Sequence, residues 1–485
     1  MRGGGPSLGL WSVVLQWSRF GIAALVFLII ARWLDLAEIG AFAVAAAPLR
    51  FLQVAHRTGI TDAVIVLRTG PNKSRNTDAL FVWSLLVSFF SSGVLLFAAN
   101  LTSEFSTSAA EIAAMMTYLA AVPLLNGLAA VPEGILRRNL RIRALALRTL
   151  AVQLCAAVAS VLAAAQGLGA WSLVLFLLVN GGLGAITAGV LARWRPRSLP
   201  TRADMRRTTP LFMLLCGQGL AANALQPMLQ LGVGIWLGMA DAGAFQIALR
   251  FLGLLDAVAV APMRFLALPV LSALGTSSRN RVAMMVRAQR LTMLVIAPVY
   301  FGAAAVAPSI LLVFVGSDHA TASAALLQIL CVVGFANAAC MVLMQASIAD
   351  GHARLALWRS LALLLLSAVF AWPALGTSVV AVAIAAALAA LCVSVLVYIV
   401  VPPRLGFSTA QSLTVIAPLI LSGLMMAVVV FVVQFLDVLP DVPSAISLGF
   451  LGIGGVATYA FFIRILARTA LLDFRLAVAA SEPGA

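Results

Sequence analysis

The stretch LDLAEIGAFAVAAAPLRFLQVAHRTGITDAVIVLR, Leu34–Arg68, decides how this chain is read. It is apolar over more than the roughly 20 residues that cross a bilayer as a helix, yet Arg50, His56, Arg57 and Asp62 lie inside the crossing. An ionisable group at that depth costs a few kcal/mol or more, so such groups face a bundle interior or a wet cavity. The opening of the stretch recurs. LDLAEIGAF (Leu34–Phe42) aligns with LGMADAGAF (Leu237–Phe245) at a shift of 203 residues, matching Ala37 to Ala240, Glu38 to Asp241, Gly40 to Gly243 and Phe42 to Phe245.

Composition agrees with a polytopic membrane protein. Of 485 residues, 63% are hydrophobic and 10% charged, against about 45–50% apolar and 25% charged in soluble domains. Long Ala, Leu and Val runs without strand alternation predict spanning helices rather than a barrel. Fourteen spans are expected, near 8–31, 38–66, 79–101, 110–134, 147–165, 170–192, 209–236, 241–272, 291–315, 321–349, 356–375, 377–401, 412–436 and 444–466. The start, MRGGGPSLGLWSVVLQWSRF, runs straight into the first of them and shows no cleavable signal.

A net charge of +15 would suggest nucleic acid in a soluble protein, but its distribution is topological. Of 31 Lys and Arg, 25 fall in connections on the side of the N-terminus, one (Arg32) falls opposite, and Arg19, Arg50, Arg57, Arg250 and Arg264 fall within spans. The bias predicts both termini in the cytoplasm, in the inner membrane if the source is bacterial. No nucleic-acid partner is expected.

The repeat maps the first span onto the seventh and the second onto the eighth, so each unit holds six spans and both insert the same way. The expected organisation is an N-terminal lobe at 1–192, a basic cytoplasmic linker at 193–208, and a C-terminal lobe at 209–401. Two extra helices follow at 402–470, with a disordered tail at 471–485.

Enzyme signatures are missing: the chain holds no HExxH, no GxSxG and no Walker loop. Five cysteines lie in apolar segments and three histidines are scattered, so no disulfide, metal site or cofactor is expected. A non-enzymatic transporter driven by a gradient, the membrane potential or the substrate's own concentration difference fits.

The intramembrane polar groups are therefore the candidate site. Arg50, Gln53 and Arg57 recur at i, i+3, i+7 in the second span, and Asn223, Gln226 and Gln230 do so in the seventh, beside Pro227. Arg250 and Arg264 share a face of the eighth span, and Gln16 and Arg19 lie one turn apart in the first. Asp256 and Asp62 are either ion-pair partners for these arginines or coupling groups. Arg57 and Arg264, near the cytoplasmic ends, could equally snorkel to headgroups. The amides of the seventh span could equally serve interhelical hydrogen bonding. If the guanidinium groups share a cavity, they make a positive well that matches phosphate oxygens bidentately, and the amides suit sugar hydroxyls.

Two blocks carry a family resemblance. WLDLAEIGAFAV (Trp33–Val44) followed by RTGITDAVIVLR (Arg57–Arg68) resembles the second-span region of bacterial polysaccharide and O-antigen-type flippases. These belong to the multidrug/oligosaccharidyl-lipid/polysaccharide exporter superfamily. AVPEGILRRNLRIRALALRTLAVQL (Ala130–Leu154) with GLGAWSLV (Gly167–Val174) is similar to the fourth-to-sixth-span region of the same family. The resemblance implies two six-helix lobes and movement of an undecaprenyl-pyrophosphate-linked oligosaccharide to the periplasmic leaflet by alternating access. It implies a diphosphate role for Arg19, Arg50 and Arg250, a lipid-tail role for the last two helices, and other polysaccharide assembly proteins as partners. The alternatives are a multidrug or lipid II-type transporter, a membrane glycan polymerase or ligase, and a scaffold. An antiporter of cationic drugs would want an acidic cavity, a polymerase a sizeable external loop, and a scaffold leaves buried arginines unexplained.

Overall fold

A computed structural model describes residues 11, 14–15, 17–67, 73–103, 107–272, 278–350, 352–436 and 444–467. Every regular element among them is helical. Twelve helices are long and apolar enough to cross a membrane. They coincide with all the expected spans except the first and seventh. Part of the first expected span, residues 8–10, 12–13 and 16, lies outside the described residues. The tail at 471–485 lies outside them too.

The chain forms two compact units, Met1–Gln246 and Ile247–Ala485. The first begins with a π-helical turn, Trp17–Gly21, leading into α1 (Ile22–Ile30). Helix α2 (Leu36–Val54) starts at a capping box in which the Asp35 side chain accepts from the Glu38 N–H and the Glu38 side chain accepts from the Asp35 N–H. A π segment, Ala55–Thr61, interrupts the crossing before α3 (Asp62–Val66), and the Thr61 hydroxyl donates to the His56 carbonyl five residues back. The second span is thus not one uniform α-helix.

Next come α4 (Lys73–Ser103), α5 (Thr107–Leu119), α6 (Ala121–Arg138), α7 (Ile142–Ala165) and α8 (Trp171–Ala192). The α5–α6 break sits four residues before Pro123, whose ring cannot tolerate the carbonyl at that distance. The same rule breaks the seventh expected span into α9 (Arg202–Asn223) and α10 (Leu225–Trp236), because Pro227 faces the Asn223 carbonyl. Helix α9 begins at Arg202, so the end of the expected linker is helical. In this unit α10 packs on α2, and α9 packs on the π segment. Ile60, Val64, Leu80, Val131, Ile135 and Phe212 fill the core there, with Trp83 stacked on Phe212 at 5.3 Å.

Helix α11 (Met239–Ser272) leads into the second unit, which holds α12 (Ser278–Ala305), α13 (Ala307–Val315), α14 (Ser317–Ala339), α15 (Met341–Ala349), α16 (Ala353–Ala374), α17 (Val379–Arg404), α18 (Thr409–Phe435) and α19 (Ser444–Leu466). The break between α14 and α15 exposes carbonyls inside the bundle, and α17 satisfies them. Tyr398 donates to the Ala339 carbonyl at 2.8 Å and Ser394 to the Ala336 carbonyl at 2.9 Å. Gln289 of α12 donates to the Tyr398 hydroxyl and to Ser412 of α18. The two C-terminal helices are integral to this unit: Tyr459 of α19 donates to the Leu294 carbonyl of α12.

Candidate substrate site

In the first unit the second and seventh spans pack on each other, but their polar residues take separate partners. Arg50, half-buried in the middle of the crossing, donates from Nη1 to Gln246 Oε1 at 2.8 Å. Gln53 is half-buried one turn further on, whereas Arg57 is exposed. The i, i+3, i+7 face therefore does not persist to Arg57. An α-helix turns roughly 100° per residue, and the π segment inserts an extra residue into the repeat, which re-aims the side chains beyond it. Asp62 is half-buried past the segment.

Pro48 lies two residues before Arg50, so its missing N–H and ring disturb the ladder around Val44 just ahead of the charge. Behind it, the buried His56 Nε2 lies 2.9 Å from Ser88 Oγ, Ser88 donates to the Ser84 carbonyl, and Ser84 donates to the Gly127 carbonyl. This chain of short polar contacts locks the π segment to α4 and α6.

Across from α2, the amides of the broken seventh span part company. Asn223 is exposed and donates back to the Gly219 carbonyl at 2.8 Å, and Gln226 is exposed. Gln230 is buried and donates to the Ala242 carbonyl at 2.9 Å, which makes it a tie between α10 and the start of α11. The break at Ala224 prevents the three from forming one polar face.

Gln246, the acceptor for Arg50, does not stand out in the sequence. Its one signal is position, since it directly follows the repeated block that ends at Phe245. Glu133 receives Arg148 at 2.9 Å, and Arg148 also donates to Thr187 and the Gly184 carbonyl.

In the second unit Arg250 is half-buried on α11, and Asp256 on the same helix accepts a hydrogen bond from the Tyr300 hydroxyl of α12. Tyr300 is fully buried and carries no signal in the sequence either. Arg359 donates to Asn337 Oδ1. Arg264 lies on α11, and Arg19 in the first π turn, but their side chains fall outside the described residues. The described residues contain no cluster of His, Cys, Asp and Glu able to hold a metal ion.

What this arrangement can do is hold a guanidinium partway along an apolar crossing, oriented by an amide. Comparison with known proteins then places the chain. The model of a family described as polysaccharide biosynthesis protein matches residues 29–324, more than half of the sequence. The succinoglycan biosynthesis transport protein ExoT of Rhizobium meliloti (strain 1021) is 26% identical over 314 residues, 64% of this chain and 63% of the relative. The match thus spans a little under two thirds of that relative's own length. Among solved structures, the lipid II flippase MurJ in an inward closed conformation has a TM-score of 0.79 at 14% identity, covering 95% of this chain and 99% of that one. An inward-facing multidrug resistance transporter of the MATE family and MOP superfamily has a TM-score of 0.63 at 14% identity, covering 85% and 96%. At these identities the likeness is one of fold.

Proposed function

We propose, because this chain belongs to the polysaccharide biosynthesis protein family, that it moves a lipid-linked polysaccharide precursor across the inner membrane of a bacterium. The finer reading is a flippase that takes an undecaprenyl-pyrophosphate-linked oligosaccharide from the cytoplasmic to the periplasmic leaflet by alternating access, with both chain termini in the cytoplasm. The observation that carries it is Arg50, a guanidinium at mid-crossing whose orientation the Gln246 amide fixes. A guanidinium stays charged at any physiological pH and its fork matches two phosphate oxygens. Held in a membrane interior, it favours an anionic headgroup that water alone would leave outside.

Arg50, with Gln53 one turn away, is assigned to the diphosphate and first sugar. Arg19, Arg250 and Arg264 are assigned to the same anionic headgroup at other stages of the crossing, and the exposed Arg57, Asn223 and Gln226 to the sugar chain. Gln230 is reassigned to structure, since its amide donates to the Ala242 carbonyl. Asp256, held by Tyr300, and Asp62 are assigned to coupling. The arginine set disfavours export of cationic drugs, although multidrug transporters share the fold.

The test is deletion of the gene followed by mass spectrometry of lipid-linked oligosaccharides, with complementation by Arg50→Ala, Arg250→Ala and the double variant. Accumulation of lipid-linked repeat units, and failure of the variants at normal membrane levels, is expected. Full export by both single variants and the double would remove the assignment.

A further inference from the structure

At the C-terminal end of α8 the structure forms a second positively charged site, separate from Arg50. A surface cavity of about 470 Å³ is lined by Gly189, Val190, Arg193, Trp194, Arg195 and Arg197. No acid lines it. Arg193 ends the helix in the left-handed region, at φ 48° and ψ 35°, and so turns the chain sharply beneath the last turn. The Trp194 ring packs edge-on against Phe81 at 5.3 Å and anchors that turn.

Two carboxylates of this unit take hydroxyl partners. Asp78 accepts from the Ser198 hydroxyl at 3.2 Å, and Asp204 accepts from Thr201 at 2.7 Å. Among the described residues, none pairs with the guanidinium groups of Arg193, Arg195 and Arg197, all three of which are exposed. Three like charges around one hollow repel each other and favour a shared anion.

The helix face leading to the cavity is apolar. Ile186 is 65% and Val190 72% exposed, one turn apart and in line with Arg193. Gly182 and Gly189 share a face seven residues apart, and a Cβ on either would meet nothing within 4 Å. An open, shallow apolar track that ends in a cluster of guanidinium groups suits acyl chains below a phosphate, and basic pockets at the cytoplasmic surface bind anionic headgroups.

We propose that the Gly189–Arg197 cavity binds the phosphodiester headgroup of an anionic phospholipid, with its acyl chains along Ile186 and Val190. Bound there, the lipid fixes the segment that enters α9, separately from any cargo. The apolar track is the reason to assign a lipid rather than a free phosphate.

The experiment is native mass spectrometry of the detergent-purified full chain, titrated with phosphatidylglycerol or phosphatidylcholine. The wild type should retain one tightly held phosphatidylglycerol and no matching phosphatidylcholine. The variant R193Q/R195Q/R197Q should lose that adduct, with affinity down tenfold or more. Gly189→Trp, which fills the hollow without changing charge, should lose it as well. R202Q/R206Q/R207Q, an equal charge loss outside the lining, should keep it. Millimolar inorganic phosphate should not displace it.

Retention of the adduct by both cavity variants would overturn the proposal. Equal loss in the R202Q/R206Q/R207Q control would reduce it to nonspecific attraction and overturn it too. Displacement by inorganic phosphate would assign the site to a free anion, and displacement by equimolar polyprenyl diphosphate would assign it to the cargo; either result overturns the phospholipid assignment.

Discussion

Arg50 and Gln246 are 196 residues apart in sequence and joined by a 2.8 Å hydrogen bond that ties the C-terminal part of α2 to the N-terminal part of α11. Hydrogen bonds to charged groups contribute about 1.5–3 kcal/mol. Gln246→Leu removes the acceptor but leaves the charge, so export should fall roughly tenfold, less than in Arg50→Ala. Arg50→Lys should not restore Arg50 function, because an ammonium lacks the planar fork. Export assayed by surface polysaccharide per unit of membrane protein checks this, and wild-type export in Gln246→Leu would show that the bond does not orient the guanidinium.

The repeated block carries two matched glycines whose backbones nearly touch. A Cβ on Gly40 would run into the Met239 carbonyl, and one on Gly243 into the Leu36 carbonyl. The match at a shift of 203 residues is therefore a steric requirement at a helix crossing. Gly40→Ala or Gly243→Ala should destabilise by about 1–3 kcal/mol or more, read as a lower thermal midpoint in detergent. Gly93→Ala, where a Cβ meets nothing within 4 Å, should leave the midpoint in place. Equal midpoints for all three would mean that the crossing relaxes freely.

Most spans were legible because apolar length is a sequence property, but the spans expected at 110–134 and 209–236 run through Pro123 and Pro227, where the structure breaks each into two helices. The π segment at Ala55–Thr61 was not legible, since a one-residue insertion leaves no mark on the apolar pattern while it re-aims Arg57. Hence Arg50 and Gln53, ahead of the segment, are both half-buried, whereas Arg57 within it is exposed. Gln246 and Tyr300 were missed for a different reason: each matters only through a partner on another helix. Glu133 shows the same limit, because its nearest cation in sequence is Arg137 whereas the fold brings it Arg148 from α7.

That pair sits where water is scarce, with side chains 7% exposed for Arg148 and 17% for Glu133. Removing one partner of a buried pair strands the other charge, at about 3–5 kcal/mol. Glu133→Ala should thus lower the thermal midpoint more than the double variant Glu133→Met/Arg148→Met, in which no charge is left to strand. A double variant less stable than Glu133→Ala would show that Arg148 contributes mainly through Thr187 and Gly184.

Outside the membrane, the first turn of α9 should respond to acid. The Thr201 hydroxyl donates to Asp204 at 2.7 Å and the Thr201 N–H at 3.0 Å, closing a capping box. These two bonds, helped by Arg75 and Arg207, hold the Asp204 carboxyl below its ordinary range. A carboxyl depressed in the folded state stabilises it fully above the ordinary value of about 3.9, and that contribution is lost as pH falls through the lower folded value. Amide exchange in Arg202–Arg207, corrected for intrinsic rates, should stay slow from pH 6 to about pH 4 and accelerate below that. Thr201→Val removes the hydroxyl bond and returns the carboxyl toward its ordinary range, so protection should be lower at pH 6 and should change less on acidification. The same acid-induced loss in Thr201→Val as in the wild type would mean that the arginines, rather than the cap, hold Asp204 ionised.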